Sequence, residues 1–81
     1  MRLPRDLSGR QLASLLRRQY SYRVVRQTDS HLRLHTDLRG EHRVTVPAGG
    51  PLRVGTLAAI LAEVAGYLGV SRAEVEEELF E

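Results

Sequence analysis

The chain has 81 residues and no cysteine, which implies one small domain that buries roughly 60% of its unfolded surface and excludes disulfides and thiolate metal sites. All twelve basic residues are arginine, so no lysine can act as a base, a Schiff-base former or a P-loop ligand, while every cation is a planar donor fork suited to phosphate. The net charge of +2 hides an asymmetry, with eleven arginines against four acids in residues 1–53 and one arginine against six acids in residues 54–81, and the basic part suits an anionic partner.

Residues 1–7 read as a loosely held lead-in in which Pro4 discourages an early helix. They are too polar for a signal peptide. No apolar run reaches the about 20 residues that cross a bilayer, so a cytoplasmic protein without membrane attachment is expected. Ser8 reads as an N-cap, and Gln11 three places on completes a capping box. Leu12, Leu15, Leu16 and Tyr20 recur at three and four, giving an amphipathic helix over about 8–20. Tyr22 to Thr28 is rich in β-formers and reads as a first strand. Thr28-Asp29-Ser30 is turn chemistry. A second strand follows over about 31–36, where Leu32 and Leu34 alternate with His31, Arg33 and His35. Asp37 to Glu41 is a hairpin loop with Gly40 available for positive φ. Residues 42–46 form a third strand, with Val44 and Val46 inward and Arg43 and Thr45 outward.

Pro47 ends that strand, and Ala48-Gly49-Gly50-Pro51 continues as a loop. Thr56 reads as the cap of a second helix whose stripe is Leu57, Ile60, Leu61, Val64, Ala65 and Leu68. Gly69 stops it as a C′ glycine. Ser71 and Glu74 form a second capping box that opens a short acidic helix over 72–80, anchored by Val75, Leu79 and Phe80. The order α-β-β-β-α, plus the short helix, implies an α+β two-layer sandwich over a three-stranded antiparallel sheet. One sheet face takes the helices. The other, with His31, Arg33, His35, Arg43 and Thr45, is left to solvent or a ligand.

The chemistry of that outward row narrows quickly. His31 and His35 are four residues apart on one strand, roughly 13 Å, and cannot chelate one ion together. No metal and no cofactor is therefore expected. A serine nucleophile is disfavoured because Ser30 and His31, as strand neighbours, point to opposite faces, and no nucleophile-elbow motif is present. Cleavage of RNA by attack of a ribose 2′-OH on the adjacent phosphate needs only a base or acid and positive charge. His31 with Arg26 and Arg33 can supply those. Plain nucleic-acid binding and protein docking fit the same residues.

Three motifs then coincide: Arg26-Gln27-x-x-Ser30-His31, Val44-Thr45-Val46-Pro47, and Pro51-Leu52-x-x-Gly55-Thr56-Leu57-x-x-Ile60-Leu61. Together they resemble the HicA family of mRNA interferase toxins over about residues 8–70, so that 1–81 is one HicA-like domain with a helical extension at 71–81. The resemblance implies a double-stranded-RNA-binding-domain-like fold, metal-independent endoribonuclease activity on mRNA, and a HicB-type antitoxin as partner. It places the catalytic histidine on His31, with Arg26, Gln27, Ser30, Arg33 and Arg43 toward RNA. Two positions depart from the family pattern. Asp29 stands where the family has glycine, and the loop Ala48-Gly49-Gly50 lacks the histidine that many members carry there.

Overall fold

The structure is a computed structural model that describes residues 3–81; the first two residues of the lead-in lie outside it. Three helices pack on a three-stranded antiparallel sheet of order β1-β2-β3. The elements are α1 (Gly9–Tyr20), β1 (Arg23–Gln27), β2 (His31–Thr36), β3 (His42–Pro47), α2 (Val54–Leu68) and α3 (Arg72–Phe80).

The start of α1 follows from its side chains. Ser8 Oγ accepts from Gln11 N at 3.1 Å and Ser8 N donates to Gln11 Oε1 at 2.9 Å, so both halves of the capping box form. Leu12, Leu16 and Tyr20 on one stripe of α1 meet Leu32 and Leu34 of β2 and Val44 and Val46 of β3. Leu57, Ile60, Leu61, Val64 and Leu68 of α2 complete that core. Each of these large side chains contributes about 1.5–3 kcal/mol by leaving water.

α3 is part of the same core. Val75 and Leu79 are buried in it. Gln19 Nε2 donates to the Glu78 carbonyl at 2.7 Å, and the Tyr20 hydroxyl donates to the Glu78 carboxylate. Of the second capping box only one half forms, Glu74 N donating to Ser71 Oγ at 3.1 Å.

Two expectations are corrected. Thr56 does not cap α2: Arg53, extended at φ −69° and ψ 147°, is the N-cap, no side chain caps it, and Leu57 N closes the first turn on Arg53 O at 2.9 Å. The segment before α1 is not loose from residue 3 onward. Leu3 and Leu7 pack on the core, and Leu52 N donates to Leu7 O at 2.7 Å, stitching the 47–51 loop to the entry of α1.

Two further contacts fix the end of the sheet where the candidate site lies. Ala48 N donates to Ser30 O at 2.8 Å. Gly9 lies against Pro47, close enough that only a residue without a side chain fits. At the opposite end, the Tyr67 hydroxyl of α2 accepts from Arg39 N and donates to Gly40 O, both at 2.6 Å, and so holds the β2–β3 hairpin. Tyr22 and His42 meet beside it through a 2.8 Å contact between the tyrosine hydroxyl and the ring Nδ1, and His42 stacks on Tyr67 at 4.5 Å. Among the described residues no single helix is long and apolar enough to cross a membrane.

Candidate functional site

The outer sheet face is organised by one irregularity. β1 pairs with β2 as Arg23↔His35, Val24↔Leu34, Arg26↔Arg33 and Gln27↔Leu32, with a bulge between Val24 and Arg26. Simple alternation would put Gln27 on the face of Arg23 and turn Arg26 away. The extra residue reverses this. Arg26 lines a cleft with His31, Arg33, Thr45 and Thr28, whereas Gln27 turns to the α1 side. Re-aiming a side chain in this way is a common use of a bulge.

The cleft has a volume of about 360 Å³, and among the described residues no carboxylate lines it. Arg26 and Arg33 are direct cross-strand partners. Like charges placed opposite one another oppose pairing, and an anion between them removes that repulsion. Neither arginine forms an ion pair among the described residues. Thr45 is the next partner in the row, opposite Arg33 on β3.

His31 stands exposed at the end of β2. The turn before it is set by Thr28, whose Oγ1 accepts from His31 N at 3.1 Å while its backbone N donates to His31 O at 2.9 Å. Ser30 therefore belongs to the turn and not to the strand. Its hydroxyl reaches His31 Nδ1 at 3.0 Å, so the expectation that the two side chains diverge is wrong. A hydroxyl both donates and accepts. Ser30 can thus complement either ring tautomer, leaving Nε2 to act as base or acid. Asp29 makes no ion pair or side-chain hydrogen bond among the described residues, so the group holding the ring is the serine and not the acid.

The remaining expected residues separate from this cleft. Gln27 faces Arg10 across the α1 side; with its amide oxygen turned toward that guanidinium it accepts at 3.0 and 3.2 Å. Arg43 lies two pairs further along the sheet, opposite His35, and its guanidinium is 3.9 Å from Glu41. His35 is not the open member of an outward row: it is only 9% exposed. Arg23 and Arg43 flank it across the sheet, and Asp37 and Glu41 of the hairpin close on its Nε2 at 3.7 and 3.4 Å. That imidazole is occupied as a clamp on the hairpin.

His35, Asp37 and Glu41 also form the group whose ligand atoms converge closely enough for a cation. Arg43 approaches Glu41 there, which opposes a second positive charge, and none of the three residues lines the His31 cleft. Among the described residues lining the cleft, His31 is the only imidazole, thiol or carboxylate ligand, one donor where a bound ion needs three or four.

The sequence reading missed two features of this face. The bulge leaves no mark in β1, since it exists only in pairing with β2. Thr28 was read as a generic turn residue, although its spacing of three from His31 is that of a side chain closing its own turn. No known protein family, curated protein or solved structure matches this chain.

Proposed function

We propose that the protein is a HicA-like endoribonuclease that cleaves mRNA without a metal ion and is held in check by a HicB-type antitoxin. The observation that carries this reading is the cleft itself: one exposed histidine, oriented by a serine, beside two arginines that form no ion pair and with no carboxylate in the lining, among the described residues. In the reaction His31 Nε2 takes the proton of a ribose 2′-OH. The 2′-oxygen bonds to the adjacent phosphorus, the bond from phosphorus to the 5′-oxygen breaks, and that oxygen receives a proton from the imidazolium. The products are a 2′,3′-cyclic phosphate and a 5′-hydroxyl. Arg26 and Arg33 stabilise the charge that builds on the non-bridging oxygens. Thr45 offers a further hydroxyl at the same wall. General acid–base catalysis by one such group contributes about 10²–10⁴-fold.

The partner follows from the same charges. A protein that silences the cleft must cover guanidiniums that have no ion-pair partner among the described residues, which favours acidic side chains on its docking surface. The observed order of one helix, a three-stranded antiparallel sheet and two further helices supports this reading.

Induced expression in a bacterial host, parent beside His31→Ala, tests the reading. Growth arrest with fragmentation of a reporter mRNA is expected from the parent alone. If both proteins are folded and the mRNA stays intact in both cultures, the catalytic reading is refuted and an RNA-binding module remains.

A further inference from the structure

On the α1 side of β1 lies a second cavity, larger than the first at about 440 Å³. Arg10, Arg17 and Gln27 line it, Arg23 borders it at the edge of β1 while pairing with His35, and Val24 and Leu32 are among its apolar lining. Among the described residues no carboxylate lines it, and none of Arg10, Arg17 and Arg23 forms an ion pair. Arg10 has Gln27 as its side-chain partner. Val24, 47% exposed, leaves apolar surface open to solvent between these charges. Arg10 and Arg17, without an ion pair among the described residues, stand beside an apolar patch, which matches an alternation of phosphate and base.

β1 is an edge strand, and all five of its residues are exposed. It is a thin ridge between two cationic depressions. The bulge makes consecutive residues serve both, Arg26 in the His31 cleft and Gln27 in the α1 groove. A polyanion crossing the ridge at Arg26–Gln27 would exchange one set of guanidiniums for the other without a gap. Only a flexible chain makes that turn, because a duplex stays stiff over many base pairs.

We propose that the α1 groove is a second RNA subsite, which grips the single strand that continues past the bond held in the His31 cleft. The substrate class is then single-stranded RNA long enough to round the edge of β1. This inference rests on the cleft being the RNA site, and the test separates the two.

Binding is measured in a His31→Ala background, so that RNA stays intact, with a trinucleotide and a twelve-nucleotide single strand over a range of salt. The Arg10→Gln/Arg17→Gln pair is compared with Arg18→Gln/Arg53→Gln, which removes equal charge from exposed positions lining neither cavity. Circular dichroism melts confirm that every variant is folded. Loss of two phosphate contacts makes the log–log salt slope shallower by about 1.4. That loss is expected for the groove pair on the twelve-nucleotide strand, with the trinucleotide unchanged and the control pair closer to the parent. Equal losses from both pairs, equal losses on both RNA lengths, or no loss at all would overturn the groove. Arg26→Gln/Arg33→Gln reports on the cleft separately. If that pair leaves trinucleotide binding untouched while the groove pair still weakens the long strand, the cleft assignment fails and the groove stands.

Discussion

A methyl group added to Gly9 meets backbone. The Cβ of an alanine there would lie 1.7 Å from the Pro47 carbonyl oxygen, 2.8 Å from its carbon and 3.1 Å from Val46 Cγ1. Ordinary non-bonded contacts need about 3.5–4.0 Å, so the start of α1 and the end of β3 must part by roughly 2 Å. Helix propensity pulls the other way by less than the about 0.5–1 kcal/mol that alanine gains over glycine in a helix interior, because Gly9 is the first residue of α1. Overpacking costs about 1–3 kcal/mol, and here the obstacle cannot rotate away, so a net loss of about 2 kcal/mol is expected. In a domain of this size each 1 kcal/mol moves the melting temperature by about 4–8 °C, giving a fall of about 8–16 °C. Gly66, inside α2 with nothing within 4 Å of an added Cβ, is the matched comparison. Gly66→Ala should raise the midpoint by several degrees in the same circular dichroism melts. Pro47 pairs with His31 across the sheet, so Gly9→Ala should also slow RNA cleavage at temperatures where it remains folded. A Gly9→Ala midpoint at or above the parent's refutes the reasoning.

Ser30→Ala removes the hydroxyl that holds His31 Nδ1. Cleavage should slow by about 3- to 10-fold, in line with one hydrogen bond, while a filter-binding assay shows RNA affinity unchanged. Chelation with EDTA should leave the cleavage rate where it was; a rate restored only by added divalent metal would contradict the single-histidine scheme. Leu79→Ala should cost about 2–5 kcal/mol in urea unfolding, because α3 fills the core and is not an appendage. At high pH the tyrosines dominate. Burial pushes the hydroxyl pKa of Tyr20 well above its ordinary value of 10.0, with Glu78 adding to it, and burial does the same for Tyr22. The unfolded chain therefore releases these protons first. Stability is complete below about pH 10 and falls above it by about 1.4 kcal/mol per pH unit for each tyrosine. Urea midpoints between pH 9 and 11 should show this, and Tyr22→Phe should remove about half of the slope.

The fold was legible wherever the signal is local. Ser8 with Gln11, Gly69 after Leu68, and the alternation from His31 to Leu34 each state their structure within a few residues, and all appear as read. What escaped depends on partners distant in the chain. Alternation places His35 outward, but its burial needs Arg23 on one neighbour, Arg43 on the other and the hairpin acids above. Gln27 was grouped with Arg26 because they are adjacent, and the bulge that parts them is a property of the pair β1–β2. Ser30 was assigned strand geometry one residue too early, which hid its contact with His31. Side-chain preference points to Thr56 as the cap, whereas α2 begins from the backbone of Arg53. The candidate site was thus readable as a histidine and its arginines, and its division into a cleft and a groove was not.

The chain contains three tyrosines and no tryptophan, and each phenol crosses a different seam. Tyr20 joins α1 to α3, Tyr22 joins the start of β1 to β3, and Tyr67 joins α2 to the hairpin. The near-ultraviolet signal of the unlabelled protein is therefore an intrinsic record of three joints. Three tyrosine-to-phenylalanine variants resolve it into its parts, and titrating RNA, the proposed ligand, into each tests whether any joint shifts.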